Sequence, residues 1–175
     1  FADPIGIAAR TLVEGLFGIL PDALHDSLLI KPGLPREWDH ASLSIPGINF
    51  SFQRTGLTDR YSIETALGKQ LSLRLQLPVL RQEVAAVTIN GKPVQWDFME
   101  GISYPLLRIY GTKEPSQEII IRWKGKPLET IRYASSIAPE QAMRLSSSRA
   151  KIIRAYDPQG ILTSAAIRSS KTLTA

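Results

Sequence analysis

The sequence contains no cysteine and only two histidines. The absence of cysteine excludes disulfides, thiolate nucleophiles and zinc sites built on cysteine. No apolar run approaches the roughly 20 residues that a membrane-spanning helix requires. The chain also lacks the glycine-rich loops that bind phosphates and the G-x-S-x-G elbow of serine hydrolases. Nucleotide chemistry and that class of serine hydrolase are therefore not expected.

The composition is that of an ordinary globular domain, with 175 residues of which 43% are hydrophobic and 21% are charged. A chain of this length can bury a core without a metal ion or a cofactor. The formal net charge is +5, and the excess lies after residue 130, where seven basic residues face only Glu140 and Asp157. This basic end allows binding to phosphates, but few aromatic residues accompany it, so nucleic-acid binding is not expected.

The first element is predicted to be a helix that ends near Phe17. Asp3 is a suitable N-cap and Pro4 fits the first helical position, while Gly18 and Pro21 mark the end. The helix is apolar on more than one face, which predicts burial on several sides. A single β-sheet covers only one side of a helix. We therefore expect further helices to pack on this one and to precede Phe1 in the parent protein.

Most of the remaining chain alternates between apolar and polar residues, which is typical of strands with one buried face. Asn90-Gly91 separates two such segments and favours a tight hairpin turn. About eight strands at short spacing predict a mainly β fold, an antiparallel, jelly-roll-like β-sandwich preceded by one N-terminal α-helix. The segments are Leu28–Ile30, 48–53, 61–65, 70–77, Val84–Ile89, Val94–Phe98, Leu106–Tyr110 and Glu118–Trp123.

Three regions follow from this pattern. Residues 1–20 hold the helix, residues 21–128 hold the sandwich, and residues 129–175 hold a linker plus a β-hairpin. That hairpin is predicted around Asp157-Pro158-Gln159-Gly160, which fits a type I turn. It forms either an extra edge of the sandwich or the start of another module.

Few side chains are candidates for a functional site. Trp38 lies in a loop and could stack on a sugar ring, although a packing role is favoured; Trp96 and Trp123 are predicted to lie in the core. Glu14 is unusual on an apolar helix and is expected to pair with Arg10, four residues earlier. No metal site is predicted, because two histidines, each beside an aspartate, do not supply a ligand set.

Two segments carry a resemblance to a known family. The first runs from Ala9 to Trp38 and includes Ile30-Lys31-Pro32-Gly33-Leu34-Pro35-Arg36-Glu37-Trp38; the second is Val87-Thr88-Ile89-Asn90-Gly91-Lys92-Pro93-Val94. They resemble the junction between barrel and sandwich, and a hairpin of the sandwich, in bacterial six-hairpin (α/α-barrel) glycoside hydrolases. The likeness covers about residues 5 to 125. It implies that the helix is the last one of an otherwise missing barrel.

The resemblance also implies a function. The chain would be a non-catalytic C-terminal region that supports the catalytic barrel and shapes one rim of its sugar cleft, where Trp38, Arg10 and Glu14 are the weak sugar-binding candidates. Its partners would be a carbohydrate and the helical barrel domain, with no nucleic acid, membrane or cofactor, in the periplasm or secreted from a bacterium. No catalytic residue is assigned, because the acid and base of such enzymes lie mostly in the barrel.

Two alternatives to this function remain open. The chain could be a free-standing carbohydrate-binding β-sandwich, which predicts an exposed aromatic platform that includes Trp38. It could instead be a basic interaction module built on residues 131–175, which predicts salt-sensitive binding to an anionic polymer.

Overall fold

The structure, a computed structural model, describes residues 4–101, 104–129, 132, 136, 138, 141–142, 144–146, 166–169 and 172–174. The chain divides into two compact units, Phe1–Lys126 and Pro127–Ala175. The strands are β1 (Ile19–Asp22), β2 (Ser27–Ile30), β3 (His40–Ile45), β4 (Ile48–Thr55), β5 (Thr58–Thr65), β6 (Ser72–Pro78), β7 (Arg81–Ile89), β8 (Lys92–Pro93), β9 (Trp96–Met99), β10 (Leu106–Tyr110), β11 (Ser116–Pro127), β12 (Arg144–Ser146), β13 (Ala166–Ser169) and β14 (Thr172–Thr174).

The first unit is a β-sandwich, as the alternation predicted. One sheet has the strand order β1-β2-β6-β10-β9 and the other has the order β3-β4-β5-β11-β7-β8. The strand pairs of known register in these two sheets are antiparallel, except that β2 runs parallel to β6. A parallel pair needs a long connection, which here contains the whole β3–β5 meander of the opposite sheet.

The core lies between these sheets and is filled by the inward residues of each strand. Burial alternates along β4, β5, β6 and β11, in the period of two that the sequence shows. Its most buried aliphatic members, with no exposed surface, are Ile30, Leu75, Leu107, Ile119 and Ile121. Aromatic rings extend this core toward the helix, because Phe17 packs edge-to-face on Phe50 with ring centres 5.5 Å apart.

The helix begins at Pro4, as predicted, but changes character midway. Pro4–Arg10 (α1) is α-helical and Thr11–Leu16 is π-helical, with the Phe17 amide donating to the Leu12 carbonyl. Asp3, the predicted N-cap, lies outside the described residues. The helix ends at Leu16, close to the predicted end near Phe17, and β1 begins at Ile19. The sequence analysis did not predict β1, because Pro21 suggested a loop.

Backbone hydrogen bonds join the helix end to the sandwich. Gly18 adopts φ +62°, its carbonyl accepts from the Lys31 amide at 2.9 Å, and the Leu16 carbonyl accepts from the Gly33 amide at 2.9 Å. The segment from Lys31 to Asp39, here called the crossing segment, then connects β2 of one sheet to β3 of the other. Its Lys-Pro-Gly start is therefore fixed to the end of the helix.

The Asn90-Gly91 turn has the predicted left-handed backbone, with φ of +49° and +77°. The Asn90 side chain also holds this turn against β11, because it accepts from the Glu118 amide and donates to the Ser116 carbonyl. The strand after the turn differs from the predicted Val94–Phe98, since two short strands in different sheets, β8 (Lys92–Pro93) and β9 (Trp96–Met99), take its place.

The second unit contains a three-stranded sheet of order β12-β14-β13. β14 pairs antiparallel with both neighbours, and an isolated bridge joins Arg132 to Ser146. The hairpin predicted around Asp157–Gly160 lies outside the described residues, as do most of the basic residues of this end.

Candidate functional site

The helix exposes apolar side chains. Ile7 is 68% exposed and Leu12 is 44% exposed, and Ala8 and Ala9 are exposed between them; these four residues are called the helix surface below. From Gly6 to Leu16 no residue is buried. Within the first unit the sheets therefore leave these helix residues without full cover, as expected if a sheet covers only one side of the helix; that further helices bury the rest stays a prediction. A helix surface of this kind usually marks a site where another molecule or domain packs.

Arg10 and Glu14 lie on this helix and bind each other. Arg10 Nε donates to Glu14 Oε2 at 2.8 Å, which is the predicted i, i+4 pair. The pair is exposed rather than buried, and the hydrogen bond to Glu14 raises the pKa of the Arg10 guanidinium. The two charges neutralise each other, so the helix adds no net charge beside the apolar side chains.

The end of the helix contacts the β1–β2 hairpin. This hairpin carries a second set of exposed apolar residues. Leu20 is partly exposed on β1 and Leu24 is almost fully exposed in the turn. Asp26 holds the turn in place, because it adopts φ +50° and its carboxylate pairs with Lys69 and Lys113. These pairs lower the pKa of Asp26, with the hydrogen bond from Lys69 as the largest cause. The hairpin thus presents Leu24 on a fixed turn.

Trp38 lies at the end of the crossing segment and is 40% exposed. Its amide donates to the Pro35 carbonyl at 3.1 Å, which closes a turn. Its ring makes no aromatic contact within the part of the chain that the structure describes. The earlier residue Arg36 stacks its guanidinium on Tyr104 at 4.3 Å from the ring centre. The Trp38 ring is therefore partly accessible to a ligand, whereas the Arg36 guanidinium is already stacked on Tyr104.

A partly buried ion pair fixes the crossing segment to the sandwich. Arg54 donates from Nε and Nη2 to the two carboxylate oxygens of Asp59, at 2.7 and 2.9 Å, and from Nη1 to the Arg36 carbonyl at 3.0 Å. The Arg54 amide donates to the Asp39 carbonyl. Trp123 Nε1 also donates to Asp59, at 3.0 Å. Asp59 is 1% exposed, so these donors take the place of the water that would otherwise solvate its carboxylate.

The other two tryptophans differ in their burial. Trp123 is buried, as predicted, and its indole N–H is satisfied by Asp59. Trp96 lies on the edge strand β9 and is only partly buried, with its ring 5.3 Å from that of the half-exposed Phe98. The core prediction thus holds for Trp123 and only in part for Trp96. An edge strand without a further neighbour leaves one side of its rings open.

A second arginine–aspartate pair lies on the outer side of the first sheet. Arg108 donates to both carboxylate oxygens of Asp97 at 2.7 Å, and the Tyr110 hydroxyl donates to Asp97 at 3.2 Å. Both charged side chains are partly exposed, and the hydrogen bond from Arg108 lowers the pKa of Asp97. The hydrogen-bond geometry of this pair matches that of the Arg54–Asp59 pair, but solvent screens the attraction between Arg108 and Asp97.

The histidines do not assemble a metal site. His25 Nδ1 lies 2.7 Å from Asp22, and His40 Nδ1 lies 2.6 Å from Asp39. Within the described ranges, no group of three or more potential ligands converges. The helices of the same ranges include none that is long and apolar enough to span a membrane.

The candidate site residues do not form one constellation. Arg10 and Glu14 bind each other on the helix, and Trp38 lies at the far end of the crossing segment. No protein-family model matches the chain, and no curated protein matches it significantly.

Arg54 and Asp59, which hold the crossing segment to the sandwich, were not predicted from the sequence. A signal for Asp59 was present, because it precedes Tyr61 and Ile63 by two and four residues and therefore shares their inward side. A carboxylate in a buried phase of a strand requires a cation close by. The facing strand supplies Arg54, whose register partner is Asp59.

Proposed function

We propose that the chain is the non-catalytic C-terminal β-sandwich region of a bacterial carbohydrate-active enzyme, a glycoside hydrolase of the six-hairpin kind, in the periplasm or secreted. In this proposal the helix surface packs against a helical barrel domain of the same parent protein. The crossing segment, with Trp38, then borders the sugar cleft of that barrel.

The exposed helix surface is the observation that carries the proposal. Exposing the apolar side chains of Ile7 and Leu12 adds no stability to a domain that must be stable alone. The charges on the same helix are paired with each other. Burying such side chains stabilises by roughly 25 cal/mol per Å² of apolar surface, so an adjoining apolar domain gains by covering them. The paired charges favour a neutral, apolar partner surface over an anionic polymer.

The gene sequence upstream of Phe1 is the direct test of the proposal. We expect the reading frame to continue for several hundred residues of paired helices. We also expect the purified 175-residue chain not to hydrolyse aryl glycosides, because in this proposal the two catalytic carboxylates of the glycosidase lie in the barrel. A start codon directly before this segment, or robust hydrolysis by the isolated chain, would contradict the proposal.

A free-standing carbohydrate-binding module is the second candidate, and the exposure of Trp38 favours it. It predicts that a soluble oligosaccharide quenches tryptophan fluorescence and that Trp38→Ala removes the quenching. Trp96→Phe is the matched control, since Trp96 is also partly buried but lies on the edge strand β9. The first proposal predicts no quenching in the isolated chain, because the barrel supplies the rest of the cleft.

A further inference from the structure

An open groove lies at one end of the sheet that contains β3 to β5, where the β3–β4 turn meets the end of β5 and the loop before β11. Its volume is about 350 Å³, and it is open to solvent on one side. Binding sites for small molecules begin at roughly 300 Å³. Trp38 lies just before the start of β3, whereas Ile45 at the end of β3 lines the groove. The groove and Trp38 are therefore at opposite ends of this sheet.

A row of polar residues borders the groove. Asn49, Glu64 and Ser116 line it, and they are register partners across β4, β5 and β11. Ser44 of β3 extends the row, because its hydroxyl donates to Asn49 Oδ1 at 2.7 Å. Asn49 Nδ2 then donates to Glu64 Oε2 at 3.3 Å. A carboxylate has about four acceptor positions, so the exposed Glu64 can accept further hydrogen bonds from a ligand.

The rest of the lining is mainly apolar and includes no positive charge. Its apolar members are Ile45, Ile48, Ala66 and Pro115, and Glu64 is the one charged residue among the described residues that line the groove. A negative charge without a cation beside it disfavours anionic ligands such as phosphates. The lining therefore fits a neutral ligand that carries hydrogen-bond donors together with C–H surface.

Backbone hydrogen bonds around the groove fix its shape. The Gly47 carbonyl accepts from the Ala66 amide at 2.8 Å, and the Pro115 carbonyl accepts from the Thr65 amide at 2.7 Å. The loop that carries Pro115 is also held by Gln117, whose buried side chain bonds to three backbone groups of this loop. A site that is formed before its ligand arrives loses less conformational entropy on binding.

We propose that this groove binds one neutral sugar ring. The ring hydroxyls donate to Glu64 and bond with the Ser116 hydroxyl, while the C–H groups of the ring contact the apolar lining. An ammonium compound pairs with Glu64 but gains nothing from that lining. The inference goes beyond the proposed function and does not depend on it, because no lining residue belongs to the helix or to the crossing segment.

NMR titration of the isotope-labelled chain tests the proposal with the methyl glycosides of glucose, galactose, mannose, rhamnose and fucose. We expect at least one of them to shift the amide signals of Gly47, Ala66 and Ser116 saturably. Glu64→Gln keeps the size of the side chain but removes its charge, so we expect it to weaken this binding about fivefold, as when a charged hydrogen bond becomes a neutral one. Ala66→Leu fills part of the groove at an exposed position, and we expect it to abolish the saturable shifts.

Glu118→Gln is the matched control. Glu118 lies on β11 and pairs with Arg60, but it does not line the groove. We expect this variant to change the dissociation constant of the glycoside less than twofold.

Either of two results overturns the proposal. One is that none of the five glycosides shifts the three amide signals; if methylammonium chloride shifts them instead, the groove is a cation site. The other is a Glu64→Gln variant that binds the glycoside as tightly as Glu118→Gln does. Neither result depends on what the helix surface packs against, so failure of this inference is distinguishable from failure of the proposed function.

Discussion

Replacing Asp59 by asparagine is expected to destabilise the first unit by about 3 kcal/mol, the lower end of the loss typical of a buried ion pair, because Asp59 is buried while the Arg54 side chain is 22% exposed. The substitution keeps the size of the side chain but removes its charge. Arg54, which is only partly exposed to solvent, then loses its counter-ion, and Trp123 loses the full charge of its acceptor. Urea unfolding of the purified chain, followed by far-UV circular dichroism, measures the change.

Asp97→Asn is the matched control for this prediction. Asp97 also accepts two hydrogen bonds from one arginine, but both partners are partly exposed to solvent. Water replaces the lost interaction there, so we expect the free energy of unfolding to stay nearly unchanged. Equal losses in the free energy of unfolding of the two variants would show that burial does not make the Arg54–Asp59 pair more stabilising than the exposed Arg108–Asp97 pair.

Gly18→Ala is expected to destabilise by about 3 kcal/mol or more and to separate the helix from the sandwich. An alanine at φ +62° costs about 1–2 kcal/mol in backbone strain. Its Cβ would also lie 1.9 Å from the Lys31 carbonyl oxygen, so the backbone must move. That movement breaks the hydrogen bond between Lys31 and Gly18, at about 1 kcal/mol, and loosens the neighbouring one between Gly33 and Leu16.

Gly68→Ala controls for the loss of a glycine as such. Gly68 does not adopt a positive φ, and a Cβ placed there has no atom within 4 Å. We expect this variant to unfold at the wild-type urea concentration or slightly above it, since alanine restricts the unfolded chain. A Gly18→Ala variant as stable as Gly68→Ala would contradict the tight junction described here.

The sandwich was predictable because burial and alternation are local properties of the sequence. Leu71–Leu77 and Ile48–Phe52 show a strict period of two, and they form strands β6 and β4. The same reasoning missed β1, whose proline lies on an edge strand where its missing N–H is tolerated. It also could not assign strands to sheets, because the partner of a strand depends on contacts distant in sequence.

The candidate site was less predictable, for the same physical reason. The Arg10–Glu14 pair followed from helix periodicity alone. The Arg54–Asp59 pair required the register of β4 against β5, which a two-residue turn at Gly56-Leu57 sets. The exposure of Ile7 and Leu12 was not predictable from their hydrophobicity, since apolar side chains ordinarily favour burial. The apolar pattern of the helix indicated that a sheet could not cover all of it, and the arrangement of the two sheets shows which residues stay exposed.

Cysteine labelling of the helix surface tests the central claim most directly, because the natural chain contains no cysteine. Ile7→Cys is compared with Leu57→Cys, an exposed position in the β4–β5 turn, both in the isolated chain and in the full-length product of the gene. We predict that Ile7→Cys reacts with a soluble thiol reagent as fast as Leu57→Cys in the isolated chain and at least tenfold more slowly in the full-length protein. Equal rates for Ile7→Cys in the two proteins would contradict the claim that the helix surface packs against another domain.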